Sequence, residues 1–142
     1  MFFFCVGVFA QEVVPSEIPW LTDYEQALRA AEKEKKNVLL YFTGSDWCPP
    51  CRLLKKDLFD TETFSIASKG FILLYVDMPR KKGVITETQL AHNKELLSKF
   101  NERGVFPLVT ILDPKGNPLK ELAGYKGQGR VQEHLELMDS YQ

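Results

Sequence analysis

The 142-residue sequence predicts an α/β domain in which a mixed central sheet has helices on both faces. Two apolar runs, NVLLYFTG (37–44) and FILLYVD (71–77), are continuous rather than alternating, which indicates strands covered on both sides. Helical patterns lie between them, so these strands should be parallel. The later turn DPKGNP (113–118) has proline at its second position and a glycine, and predicts an antiparallel hairpin.

The composition is ordinary for one globular domain, with 44% hydrophobic and 26% charged residues. A chain of this length buries roughly 70% of its unfolded surface, so its core can stabilise it without disulfides. The net charge of -1 gives no electrostatic footprint for nucleic acid, and none is expected as a partner. The basic clusters, Lys33 with Lys35 and Lys36, and Arg80–Lys82, are interpreted as solvated surface.

The chain opens with the apolar run MFFFCVGVFA, which ends at a small residue. This run is shorter than the roughly 20 residues that span a bilayer. It fits a signal peptide, although no basic residue precedes it. We expect residues 1–10 to be a signal peptide with a truncated basic region, 11–19 a flexible lead-in and 20–142 the folded domain. Cys5 would leave with the signal, and the protein would be periplasmic or secreted.

The first half of the domain is predicted to contain, in order, a helix, a strand, two helices and a second strand. WLTDYEQALRAAEKEKK (20–36) predicts a helix that begins with a capping-box pair, Thr22 and Glu25. Between the two apolar runs, helices are predicted at roughly 50–59 and 61–68.

The second half begins with a helix that Thr86 and Gln89 should cap and Gly104 should end. Its expected apolar stripe is Leu90, Leu97 and Phe100. PLVTILD (107–113) then predicts a third strand, and LKELAG (119–124) an antiparallel edge strand. A last helix is predicted from about Gln128, with Val131, Leu135 and Met138 facing inward.

The segment DWCPPC (46–51) places two cysteines where the first apolar run gives way to a helix. A helix that begins after Cys48 directs free N–H groups and the positive end of its dipole at that sulfur. This favours the reactive thiolate. Cys48 is therefore the predicted nucleophile, and Cys51, one turn later, would resolve the mixed disulfide that forms with a partner.

The two prolines between the cysteines should stiffen this loop. Pro50 suits the first helical position, and Pro49 is expected just outside the helix because another proline follows it. Closing a stiff loop into a disulfide costs less entropy. The prolines also remove two N–H donors near the thiolate.

The Trp-Cys-x-x-Cys motif, the element order and the stretch GVFPLVTILDPKG (104–116) together resemble the thioredoxin superfamily. The resemblance covers about residues 18–141 and implies a thioredoxin-like three-layer sandwich. The opening of the domain looks most like exported thioredoxin-like domains, including the C-terminal domain of membrane disulfide reductases. In this family the proline that matches Pro107 is cis and faces the two sulfurs, and the preceding residue, here Phe106, lines the partner groove.

The sequence departs from thioredoxins proper at one position. They carry a buried aspartate in the strand before the motif, whereas Tyr41 or Phe42 stands there in this chain. Asp46 belongs to the exposed loop, where its charge should mildly oppose thiolate formation at Cys48. Arg52, one turn further along, would offset it.

These features predict a thiol–disulfide oxidoreductase that uses Cys48 and Cys51, and that works as a reductase outside the cytoplasm. Pro107 would shape the site, while Trp47 and Phe106 would contact the partner. No bound cofactor is implied. The expected partners are client proteins with disulfides or thiols and a membrane electron donor, and the protein is expected to be a monomer.

Other interpretations of the cysteine pair stay open. A binding module could keep Cys48 and Cys51 locked as a disulfide, and a structural disulfide this short would stabilise little. A zinc site needs about four ligands, but only His92 and His134 remain, each expected at the surface. Haem attachment would need a histidine where Arg52 stands. We therefore predict no metal.

Overall fold

The computed structural model describes residues 18–142. The predicted signal peptide and nearly all of the predicted lead-in lie outside the described residues. No helix between residues 18 and 142 combines the length and apolar character needed to cross a membrane. The elements are, in order, α1 (Tyr24–Glu34), β1 (Asn37–Thr43), α2 (Pro49–Leu54), which continues as a π-helix (Lys55–Phe59), α3 (Glu62–Ala67), which continues as a 3-10 helix (Ser68–Gly70), β2 (Phe71–Asp77), α4 (Glu87–Phe100), β3 (Leu108–Leu112), β4 (Pro118–Ala123) and α5 (Gln132–Tyr141).

The four strands form one mixed sheet in the order β2-β1-β3-β4. β1 pairs in parallel with β2, and it pairs antiparallel with β3. β4 pairs antiparallel with β3 and lies at the edge. The predicted parallel pair and the predicted edge hairpin are both confirmed.

Helices cover both faces of this sheet, which gives three layers. Side chains of β1 alternate between two cores because successive residues of a strand point to opposite faces. One core contains Leu39 and Tyr41 with residues of α2, α3 and α5, among them Leu54, Phe64 and Leu137. The other contains Val38, Leu40 and Phe42 with residues of α1 and α4, among them Ala27, Ala31 and Leu96. Burial on both faces explains why the apolar runs are continuous.

Helix starts depend on local capping, and one of two predicted caps is correct. The Thr86 hydroxyl accepts a hydrogen bond from the Gln89 amide at 3.1 Å, as expected for α4. At α1, however, Asp23 caps the helix and accepts from the Gln26 amide at 2.8 Å. The prediction of a Thr22–Glu25 pair was wrong by one residue, since Asp23 offers an equally good acceptor.

The buried faces of α4 and α5 match the prediction in part: Met138 is buried, and Leu97, Phe100, Val131 and Leu135 pack against the cores. In α4 the buried residues are Asn93 and Leu96, while Leu90, Leu97 and Phe100 are only partly buried. The helix ends at Phe100, before Gly104. In α5 the buried residues are His134, Leu137 and Met138. The expected surface position of His134 was therefore wrong. Gln128 and Gly129 both have positive φ, so α-helical backbone cannot begin at Gln128 as predicted, and α5 starts at Gln132.

Candidate functional site

The cysteine motif lies at one end of the sheet, where three strand ends meet. Thr43, the last residue of β1, pairs with Asp77, the last residue of β2. Phe42 pairs with Leu108, the first residue of β3. The loop after β1, the segment after β2 and Pro107 therefore come together at this end. We call residues 44–48 the motif loop and residues 78–82 the basic segment.

Cys48 and Cys51 form a disulfide, with Cα atoms 5.3 Å apart. Cys48 is the N-cap of α2, with an extended backbone, and Cys51 lies in the first turn. The exposed fractions are 3% for Cys48 and 1% for Cys51. The expected contrast between an open Cys48 and a covered Cys51 is therefore small in the disulfide form.

The prolines occupy the first two positions of α2, so Pro49 lies inside the helix rather than just outside it. Neither proline has an N–H group. Among the first three residues of α2, only Cys51 thus has a backbone donor, and the Arg52 amide donates to the Cys48 carbonyl at 3.2 Å. Fewer amides than the usual helix start offers are available to stabilise a thiolate at Cys48.

A tight turn holds the motif loop together. The Gly44 carbonyl accepts hydrogen bonds from the Trp47 amide at 3.2 Å and from the Cys48 amide at 2.9 Å. A Cβ atom at position 44 would overlap the Trp47 indole. Glycine therefore allows the indole to fold back across the loop, where Trp47 Nε1 donates to the Met78 carbonyl at 2.7 Å.

Two carboxylates join the motif loop to the chain after β2. Asp77 is 4% exposed and accepts hydrogen bonds from the Ser45 amide at 2.9 Å and from its hydroxyl at 2.5 Å. Asp46 accepts from the backbone amides of Arg80 at 3.0 Å and Lys81 at 2.8 Å. These two amide bonds lower the pKa of Asp46, since they favour the charged carboxylate.

An aromatic and cationic group is built around Trp47, the residue that precedes Cys48. The rings of Trp47 and Phe106 meet edge to face, with centroids 5.2 Å apart. The Arg80 guanidinium lies 4.0 Å from the centroid of the Trp47 ring. The Phe106–Pro107 peptide bond is cis, as the resemblance implied. The Pro107 carbonyl accepts from the Gly124 amide at 2.8 Å, which fixes the chain after β4 beside it.

Thioredoxins proper carry a buried aspartate in the strand before the cysteine motif. In this chain Tyr41 of β1 lies on the motif side of the sheet at that place. Its hydroxyl donates to the Cys51 carbonyl at 3.5 Å. Burial, with a smaller contribution from the charge of Asp77, raises the pKa of Tyr41 to about 12, so the phenol stays protonated at neutral pH. The buried carboxylate of this region is instead Asp77, which comes from the neighbouring strand.

Sequence reasoning missed Asp77 and Ser45. Asp77 is the only charged residue in β2, and it stands at the strand's carboxyl end, beside the end of β1. That position in an otherwise apolar strand was the available signal. Arg52 is exposed on α2.

His92 is partly buried on α4 and His134 is buried on α5, so neither is fully exposed as predicted. His92 Nε2 accepts from the Tyr24 amide at 3.0 Å, and His134 lies in α5. In the part of the chain that the structure describes, no three His, Cys, Asp or Glu side chains are grouped to hold a metal ion.

A family model described as thioredoxin-like matches residues 19–114. The chain is 28% identical to the disulfide bond reductase DsbH of Chlamydia pneumoniae over 118 residues, which cover 82% of this chain and 69% of that protein. It is 30% identical to the thioredoxin-related protein DsbJ of the same organism over 84 residues, or 58% of this chain and 24% of that one. A solved structure of a DsbH oxidoreductase aligns with a TM-score of 0.73 and 25% identity, over 94% of both chains.

Proposed function

Because the chain belongs to the thioredoxin-like family, we propose that it is a thiol–disulfide oxidoreductase that reduces disulfides of client proteins outside the cytoplasm. The observation that carries the proposal is the Cys48–Cys51 disulfide at the start of α2, at the same end of the sheet as the cis Phe106–Pro107 bond. A relative named as a disulfide bond reductase supports the direction of electron flow.

The reaction begins with both cysteines reduced. The Cys48 thiolate attacks one sulfur of the client's disulfide, that S–S bond breaks, and the second client sulfur leaves as a thiolate that takes up a proton. Cys51 then loses its proton and attacks the Cys48 sulfur, which releases the first client sulfur. The client gains two electrons, and the protein ends as the Cys48–Cys51 disulfide.

The surface around Cys48 would receive the client. In the disulfide form Cys48 is 3% exposed, so the dithiol donor that reduces this disulfide again must dock closely to reach it. Trp47 and Phe106 would provide the apolar contact, and the chain around Pro107 would align the client's backbone. Tyr41 would hold the start of α2 in place through its hydrogen bond to Cys51.

Each turnover leaves the protein oxidised, so it needs a supply of electrons. We place the protein in the periplasm or outside the cell because its first ten residues resemble a signal peptide. In such a compartment no soluble dithiol pool restores the reduced form. A membrane-embedded dithiol donor is therefore the inferred second partner, and the protein would act as a monomer.

The test is a trapping experiment with Cys51→Ser. Without the resolving thiol, Cys48 should stay bonded to clients as mixed disulfides that are stable until a reductant is added. The measurement is a non-reducing gel of extracts from the cell envelope, with Cys5→Ser in all variants so that only the motif reacts. Cys48→Ser is the matched control and should trap none.

The competing function is a binding module whose disulfide stays closed. The chain would then bind its partner equally well with either cysteine replaced, and Cys51→Ser would give no covalent adduct. That result would contradict the proposed exchange reaction.

A further inference from the structure

The basic segment carries three consecutive cationic side chains, Arg80, Lys81 and Lys82, and all three are exposed. The sequence alone predicts that this cluster is solvated surface. The cluster is exposed as predicted, and the fold holds it against the motif loop that leads to Cys48, because the ends of β1 and β2 are paired and Asp46 binds the amides of Arg80 and Lys81. The basic segment is therefore placed to contact a polypeptide that binds at Cys48.

Backbone contacts determine how this segment faces the site. Asp46 of the motif loop accepts from the amides of Arg80 and Lys81, so the main chain is bound to the loop while the side chains remain outside. The Arg80 guanidinium lies 4.0 Å from the Trp47 ring centroid, and Trp47 directly precedes Cys48. The cations are thus held at the edge of the proposed client surface.

The net charge at this edge is positive, since Arg80, Lys81 and Lys82 outnumber Asp46 and Asp77, although the whole chain has a net charge of -1. Within residues 18–142, the ion pairs include none from Arg80, Lys81 or Lys82. Two carboxylates also lie here: Asp77 is buried against Ser45, and Asp46 accepts from backbone amides and keeps a negative charge that also attracts Lys81. Three cations against two carboxylates leave a local charge of +1, so these side chains can still attract an acidic partner.

We propose that the basic segment recognises acidic stretches of client polypeptides, so that the protein reduces disulfides flanked by Asp and Glu faster than others. This inference rests on the proposed function. An apolar centre formed by Trp47 and Phe106, bordered by charged residues, has the usual arrangement of a protein interface. Complementary charge speeds encounter, and salt screens the effect.

The experiment uses the full-length protein, reduced in advance, and three cystine peptides that differ only in flanking residues: Glu, Gln or Lys. The second-order rate of peptide reduction is measured by stopped flow at low salt and again near 1 M salt. We expect the order Glu, Gln, Lys from fastest to slowest, with the differences largely lost at high salt.

The variant Lys81→Gln/Lys82→Gln removes two of the cations and leaves the backbone bonds to Asp46 intact. We expect the Glu-to-Gln rate ratio to fall about threefold or more, with the Gln peptide rate unchanged. The control is Lys33→Gln/Lys69→Gln, which makes the same charge change at the opposite end of the sheet, before β1 and β2 begin. It should leave the ratio unchanged.

The outcomes separate the two ideas. If the wild-type protein reduces all three peptides at one rate, or if both double variants change the ratio equally, the acidic-client inference is wrong while the reductase proposal stands. If the wild-type protein reduces no peptide, the proposed function itself is wrong.

Discussion

Most of the buried polar side chains named here have hydrogen-bond partners that satisfy them. Asp77 accepts from Ser45, and buried Asn93 donates to the Asp77 carbonyl at 2.8 Å while accepting from Gln89 at 2.8 Å. His134 is different. It is 4% exposed and packs edge to face against Tyr125, and neither ring nitrogen has a hydrogen-bond partner among residues 18–142. An unpartnered buried polar group costs about 1–3 kcal/mol of stability.

The free energy of unfolding should consequently depend on His134 at mildly acid pH. Burial lowers the pKa of His134, against a smaller opposing effect of Glu133. Below about pH 6.5 the unfolded chain binds this proton more readily than the folded protein, so stability falls as the pH drops. The loss is at most about 1.4 kcal/mol per pH unit.

His134→Leu should raise stability at pH 7 by about 1 kcal/mol and should remove this acid-dependent loss. His134→Gln is the matched control, since it stays polar but does not titrate, and should remove only the pH dependence. Urea unfolding at pH 7 and pH 5 measures both. A stability difference between His134→Leu and the wild type that is equal at the two pH values would contradict the account.

The hairpin between β3 and β4 illustrates how a whole element depends on its turn. The Asp113 carboxylate accepts from the amides of Lys115 and Asn117, both at 2.9 Å, and from the Asn117 side chain. These bonds lower the pKa of Asp113, the Asn117 side chain most of all. Gly116 completes the turn with φ +87°, and Tyr24 of α1 lies directly over it.

Gly116→Ala should therefore destabilise the protein by more than backbone conformation alone explains. A Cβ atom would meet the Tyr24 hydroxyl, in addition to the strain of a positive φ, which is about 1 kcal/mol or more. Gly83→Ala is the control because Gly83 has φ +84° and a Cβ atom there would meet nothing within 4 Å in residues 18–142. Thermal unfolding should show the larger loss for Gly116→Ala, and equal losses would mean that the Tyr24 contact does not matter.

At the scale of the molecule, two cores on opposite faces of one sheet must form together. The core beneath α2 and α3 is rich in aromatic rings. Trp20 stacks on Phe64 with centroids 5.9 Å apart, and Phe59 meets Phe64 edge to face at 4.9 Å. Since β1 supplies side chains to both cores, a loss in one should weaken the entire fold.

Phe64→Ala should cost about 3–5 kcal/mol of the free energy of unfolding, because Phe64 is fully buried and its neighbours cannot fill the space. Ile66→Ala on the same helix is the control; Ile66 is 61% exposed, and we expect a change within about 0.5 kcal/mol. Chemical unfolding followed by fluorescence and by circular dichroism should give one transition. Two separate transitions for Phe64→Ala would show that the cores unfold independently.

The sequence by itself determined the strands, the order of elements and the place of the cysteine pair. Continuous apolar runs report burial on both faces, and the cysteines stand directly at a strand-to-helix junction, so local pattern was sufficient. The apolar pattern was less reliable in predicting which helix residues are buried. His134 of α5 carries a polar ring that the apolar pattern excluded from the core, and Asp23 competes with Thr22 as a cap one residue away.

Only the tertiary structure decided what surrounds the disulfide. Ser45 and Asp77 are 32 positions apart, and Asp46 reaches the amides of Arg80 and Lys81 across 34 and 35 positions. No local periodicity records such contacts, because they arise when the ends of two strands are brought into register. For the same reason the sequence predicts only that the basic segment is solvated, whereas the folded chain holds this segment against the motif loop.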